Sequence, residues 1–192
     1  MNASESERNL AWKLNWWRQS ELEGALLLGR LVGMVEDADL AIRLTRHCSE
    51  EAEHSLVWAN AIAELGLPHV RIFRSYQSFY LHHSGPPASL LDVLCFTQVF
   101  ERRVHTRFHA ELQRADTPEP ARQAYRRMME DEKDHLAWVA AWLSRQDGAE
   151  ERLEFYRGID RAVFTEVEPF ADRLWELPGL GRQSAPLSLS TS

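Results

Sequence analysis

Apolar residues recur at three- and four-residue intervals over most of this chain, the spacing that lines one face of an α-helix. From about Leu10 to Val35 the stripe is Leu14, Trp17, Ala25, Leu28, Leu31, Val32 and Val35, with Glu21 set among them. The acidic break Glu36-Asp37-Ala38-Asp39 offers carboxylates as N-caps to a second helix reaching about Leu65. Gly66 is a candidate C-cap there, with Pro68 behind it. Residues 67–88 contain Pro68, Pro86 and Pro87 and predict a long connection, with room for a short helix at about Ser75–His82. Ser89 followed by Asp92 has a capping-box pattern and opens a third long helix running to about Ala115. Thr117-Pro118 reads as an N-cap with proline in the first turn, opening a fourth helix that ends near Asp147-Gly148. A fifth is expected from about Ala149 to Phe164.

The loop lengths predict topology. Short turns after the first and third long helices make each pair an antiparallel hairpin, and the roughly 22-residue connection between hairpins can cross the length of a bundle. The expected class is therefore all-α, a four-helix bundle with one long crossover and an additional C-terminal helix. A single domain is expected over 1–177, with its core bundle at about 10–146. From Pro178 on, the Gly-, Ser- and Leu-containing stretch 178–192 is expected to be a flexible tail.

Set into these apolar stripes are acids and imidazoles. Glu51/His54 and Glu132/His135 each form Glu-x-x-His, 81 positions apart, and Glu21 and Glu101 precede them by 30 and 31 positions. Residues three apart share a helix face, so each motif aims a carboxylate and an imidazole at one point. The surroundings repeat too: Glu50-Glu51-Ala-Glu53-His54 matches Asp131-Glu132-Lys-Asp134-His135, with Trp58 and Trp138 about a turn beyond. The repeat offset favours Glu21 as the first-helix acid, with Glu23 the alternative.

Two matches of so short a pattern are weak evidence alone. Their setting strengthens them. Tyr125, Met128, Met129, Leu136, Val139 and Leu143 surround Glu132, while Leu91, Leu94, Val104, Phe108 and Leu112 surround Glu101. Carboxylates on such faces face a desolvation cost of several kcal/mol and repel one another where they converge, two problems that divalent cations remove. Glu, Glu-x-x-His, Glu and Glu-x-x-His from four helices form the ligand set of a carboxylate-bridged dimetal site.

Composition adds limits. No apolar run approaches the roughly 18 residues of a membrane span, because Arg30 interrupts the best candidate, Ala25 to Val35. The polar, acidic start does not read as a signal peptide. Cys48 and Cys95 are the only cysteines and make neither a disulfide framework nor a cysteine-built metal site. The net charge of −7 argues against nucleic acid as the main partner, although tRNA stays open. A cytoplasmic protein is the expectation.

With the two motifs and their upstream glutamates in place, residues 10 to 146 resemble the ferritin-like di-iron carboxylate superfamily: ferritins, rubrerythrins, demethoxyubiquinone hydroxylase and the tRNA-modifying hydroxylase. The resemblance implies that Glu21, Glu51 and His54 hold one half of a site for two iron ions, or manganese. It assigns Glu101, Glu132 and His135 to the other half, with Glu51 and Glu132 bridging. Gly24 fits the small residue such sites carry where helices approach closely. Glu50 and Asp131 would orient the histidine of the opposite helix pair. His105, one turn after Glu101, and Tyr125, two turns before Glu132, are further candidates beside the metals, each with core packing as its ordinary reading. His47, one turn before Glu51, is read with the same restraint. Trp58 and Trp138 are candidates for electron transfer. Arg102, Arg103, Arg107, Arg126 and Arg127 read as solvated helix faces. The chain lacks the four-cysteine iron module of rubrerythrin, so electrons would come from a separate reductase.

The resemblance implies a di-iron oxidoreductase that activates O2 or peroxide to oxidise or hydroxylate an organic substrate. The alternatives are a ferroxidase or iron-storage protein and a bundle retained as a binding module. An apolar lining from Leu28, Val104, Phe108, Met129 and Val139 is expected around the metals. The expected partners are a small-molecule or metal substrate, an external reductase and, in the assembled state, a second copy of the chain.

Overall fold

In a computed structural model, residues 4–183 are described. Six α-helices carry almost all of the regular structure: α1 (Glu5–Val32), α2 (Ala38–Glu64), α3 (Tyr76–Ser84), α4 (Leu90–Gln113), α5 (Glu119–Leu143) and α6 (Ala149–Val167). Strands β1 (Val70–Ile72) and β2 (Gly181–Gln183) form one small antiparallel sheet. The chain is all-α in class, with a bundle-like arrangement of four long helices. None of the described helices is long and apolar enough to cross a membrane.

Helix ends follow local chemistry. α1 starts at Glu5, five residues before the expected Leu10, because Ser4 and Glu7 form a reciprocal capping box: the Ser4 N–H donates to Glu7 at 2.8 Å and the Glu7 N–H to the Ser4 hydroxyl at 3.2 Å. It ends at Val32, short of the expected Val35. Asp37 caps α2, accepting from the Leu40 N–H at 2.8 Å. Gly66 follows the α2 C-cap with φ +62°, a left-handed residue that releases the chain into the crossover. Ser75 and Ser89 cap α3 and α4. At α5 the N-cap is Pro118, not Thr117, whose hydroxyl instead donates to the Glu111 carbonyl at 2.7 Å and ties the α4–α5 turn together.

Two hairpins, α1–α2 and α4–α5, meet where α2 packs on α5. The ring closes between α1 and α4 through the Lys13–Glu111 ion pair (2.6 Å) and the edge-on rings of Trp17 and Phe108, 5.1 Å apart. The connection over 65–89 holds β1 and α3. Trp16 Nε1 donates to the Arg74 carbonyl at 3.1 Å and Gln77 to the Ser20 carbonyl at 2.7 Å, fastening that connection to α1. α6 lies on α4, joined by Arg152–Asp92 and Arg103–Asp160.

The tail expected over 178–192 does not begin at Pro178. Gly181 to Gln183 pair with β1, and Leu177 and Leu180 are buried. A Cβ at Gly181 would sit 2.3 Å from the Arg71 carbonyl oxygen, so a side chain there would block the pairing. Asn9 anchors the preceding segment, donating to the Ala171 carbonyl and accepting from the Leu174 N–H, both at 3.0 Å. Residues 184–192 of that expected tail lie outside the described residues.

Candidate metal centre

Seven ionisable side chains converge between the two hairpins, and all seven are buried: Glu21 from α1, His47, Glu51 and His54 from α2, Glu101 from α4, Glu132 and His135 from α5. The helical repeat explains the convergence. His47, Glu51 and His54 are spaced four and three apart, so they stack on one face of α2, and Glu132 and His135 do the same on α5. Ligand atoms of His47, Glu51, Glu101 and His135 all lie within 4.8 Å of one another, as do those of Glu21, Glu51, His54 and Glu132. Glu51 belongs to both groups. Glu132 groups with the α1–α2 residues, yet its Oε2 also lies 3.8 Å from His135 Nδ1, so it too stands between the halves.

The imidazoles are oriented from outside. His54 Nε2 is hydrogen-bonded to Asp131 Oδ2 at 3.1 Å, and His135 Nε2 to Glu50 Oε2 at 2.9 Å. Each acid comes from the opposite hairpin, the crossed arrangement expected of Glu50 and Asp131. In the neutral tautomer that donates Nε2–H outward, the Nδ1 lone pair of each ring would face the carboxylates. Neither Nδ1 has a well-aligned hydrogen-bond partner, nor has either nitrogen of His47, whose Nε2 lies only at ion-pair distance from two glutamates, and Glu51 Oε1, Glu101 Oε2 and Glu132 Oε2 equally lack an aligned donor. Buried polar atoms are normally satisfied, and cations held among these atoms would satisfy them. A neutral imidazole whose far nitrogen donates to a carboxylate is the form that ligates a metal. The donor set therefore fits two hard or borderline divalent ions.

Electrostatics agree. Burial and the nearby charges of Glu51 and Glu132 hold the Glu21 carboxyl well above its usual range. Burial and Glu132 push Glu101 up to about 7. Burial opposes ionisation of Glu51 also, but His47, His54 and His135 around it outweigh this and lower it to about 2. For His135 burial works against the charged form, yet Glu132 and Glu101 raise it to about 9. His47 is raised for a similar reason, by Glu101 and Glu51 against burial. Without cations, protons thus neutralise the cluster, and bound metal would displace them.

His47 was the residue its sequence context undervalued. Its Nε2 lies 3.1 Å from Glu101 Oε1 and 3.3 Å from Glu51 Oε1, and its ring stacks on His135 at 3.7 Å. The four-residue spacing to Glu51 was the available signal. His105 is not brought in: it is half-buried and outside both groups, because Val104 and Phe108 take the inward positions of that turn. Tyr125 packs instead against Trp58 and Phe108, at 5.0 and 5.1 Å, outside both groups. Trp58 itself donates Nε1–H to Glu21 Oε1 at 3.3 Å, and Trp138 stands edge-on to His47 at 5.8 Å. Glu23 turns away, accepting from Ser75 and Gln19, so Glu21 alone of the pair enters the cluster. Arg103, Arg107, Arg126 and Arg127 all form ion pairs, and Arg127 braces Asp131 at 3.1 Å.

Gly24 has a specific purpose: a Cβ there would lie 2.7 Å from Glu51 Oε2. Beside the carboxylates lies a cavity of about 30 Å³, lined by all four glutamates and by Leu28, Phe96, Phe100 and Val104. It has room for a molecule the size of water or dioxygen. Of the expected apolar lining, Leu28 and Val104 border it, whereas Phe108, Met129 and Val139 do not.

Comparison with family models, with curated proteins and with solved structures found no match to this chain.

Proposed function

We propose that this protein is a non-haem di-iron oxidoreductase of ferritin-like architecture that uses O2 or peroxide to oxidise an organic substrate, with manganese as the other metal its donor set accepts. One observation carries the reading: four carboxylates and three imidazoles from four helices meet in a buried core, and every one of them except Glu21 has an atom there without a well-aligned hydrogen-bond partner. Two iron ions held there would supply the paired electrons needed to cleave an O–O bond. Glu21 and Glu101 would bind terminally, one in each group, and Glu51 and Glu132 would link the groups. His54 and His135 would bind through Nδ1, fixed by Asp131 and Glu50, with His47 as a third nitrogen donor on the Glu101 side. The small cavity admits an oxidant next to all four carboxylates, and its aromatic wall limits the access of water.

A ferroxidase or storage role would use much of the same constellation. Three imidazoles and near-complete burial favour ions that stay over ions that pass through. Anaerobic titration with Fe(II), desalting and elemental analysis test this: about two ions should remain per chain. Oxygen uptake by the loaded protein should then be in fixed proportion to protein. Continued uptake of Fe(II) into a mineral would transfer the reading to storage, and retention near zero would end both.

A further inference from the structure

A second cavity lies apart from the carboxylate cluster. α4, α5 and α6 enclose a groove of about 630 Å³, within the size range of small-molecule sites. Its walls are chemically divided. Val99, Ala140, Leu143, Ala149 and Leu153 give it an apolar bed. Among its arginines, Arg103 is neutralised by Asp160 and Arg157 by Glu150. Arg102 forms no ion pair with any described residue, which leaves one uncompensated guanidinium in the groove of a chain whose net charge is −7. Gln98, one turn before Arg102 on α4, is 3 % exposed, and both of its amide atoms lack hydrogen-bond partners. A buried amide with neither donor nor acceptor satisfied is costly unless something else meets it.

We propose that this groove is a binding site for an amphipathic carboxylate, with its apolar body on the α4–α6 bed and its anionic head on Arg102, within reach of the Gln98 amide after a side-chain rotation. Charge selects the head: a planar guanidinium receives a carboxylate through two parallel N–H···O bonds. Apolar surface selects the body, because Leu143 and Ala149 gain nothing from a fully polar ligand. The groove contains none of the seven clustered residues, so its occupancy does not depend on metal.

Octanoate, followed by displacement of the fluorescent probe 8-anilinonaphthalene-1-sulfonate from the full chain, provides the test. The wild type should bind the probe with blue-shifted emission and release it to octanoate but not to octanol. Arg102→Ala should weaken octanoate about tenfold, the usual scale for losing a charge-assisted hydrogen-bonding pair. Ala140→Trp and, independently on α6, Leu153→Trp should fill the bed and remove binding with helical circular dichroism unchanged. Glu132→Ala should bind octanoate as the wild type does, which separates this site from the metal reading. Equal octanoate affinity in the wild type, Arg102→Ala and a well-folded bed-filling variant would overturn the proposal, as would the absence of any octanoate binding to the wild type.

Discussion

The α1–α2 and α4–α5 hairpins share a Glu-x-x-His motif and an upstream glutamate, and the places where they differ are instructive. Glu51 and Glu132, and His54 and His135, are equivalent at an offset of 81. At the same offset His47 faces Met128. Both are fully buried, but one is a ligand-type imidazole and the other an apolar filler. The tryptophans part company as well: Trp58 is buried and donates to Glu21, whereas Trp138 is half-buried beside His47. The pseudo-symmetric core is therefore asymmetric in its donors, with two imidazoles in the group containing Glu101 and one in the group containing Glu21. A symmetric pair of sites would treat both metals alike. Two ions held here would instead meet different donor sets.

The strongest way to break the comparison is at the residue both groups share. Glu51→Ala removes a donor from each half, and retained iron should fall from about two ions to near none, since neither group keeps its full donor set. Full retention in that variant would show that the groups do not bind metal together. His47→Met, which copies the Met128 half, sharpens the point. Retained metal should fall toward about one ion per chain while helix content is unchanged. An unaltered metal count would return His47 to a packing role.

Smaller effects should come from the outer acids. Asp131→Asn and Glu50→Gln keep the shape but weaken the hold on His54 and His135. Metal affinity should drop about 10–100-fold in each, the usual cost of removing such a support. Because Arg127 braces Asp131 and not Glu50, Arg127→Ala should reproduce a weak form of Asp131→Asn and leave the His135 side alone. Competition with a fluorescent chelator measures all three.

The mildest test is pH. In metal-free protein Glu101 is raised to about 7 and His135 to about 9, so the folded state binds protons more tightly than the unfolded chain. Their stabilisation is complete below the unfolded values and is lost as pH rises, for Glu101 through about 7 and for His135 through about 9. The lowered Glu51 acts oppositely, but its contribution changes only between the unfolded value and about 2. Metal-free protein should therefore melt at lower temperature at pH 9 than at pH 6, while iron-loaded protein should show a flatter profile and a higher melting temperature throughout. Parallel profiles for the two forms would count against metal displacing those protons.

Periodicity and spacing made much of this molecule legible. The stripes of Leu and Trp residues marked the long helices, Ser89 and the acidic break at 36–39 marked the starts of two of them, and the i, i+3 motifs marked Glu51 with His54 and Glu132 with His135 as neighbours, because one helix fixes such relations within itself. Beyond a single helix the motif repeat also pointed to the crossed pairs of Glu50 with His135 and Asp131 with His54, but other relations did not follow. Whether His47 or His105 turned inward depended on which neighbouring side chains filled the rest of each turn. The pairing of Gly181–Gln183 with Val70–Ile72 depended on α1 anchoring the returning chain through Asn9, a contact more than 160 residues distant in sequence. Likewise, that Arg102 has no ion-pair partner among the described residues is visible only once Asp160 and Glu150 have taken its neighbours. Local chemistry determined the helices and the faces they present; tertiary packing decided which faces met, and so which buried atoms were left without partners.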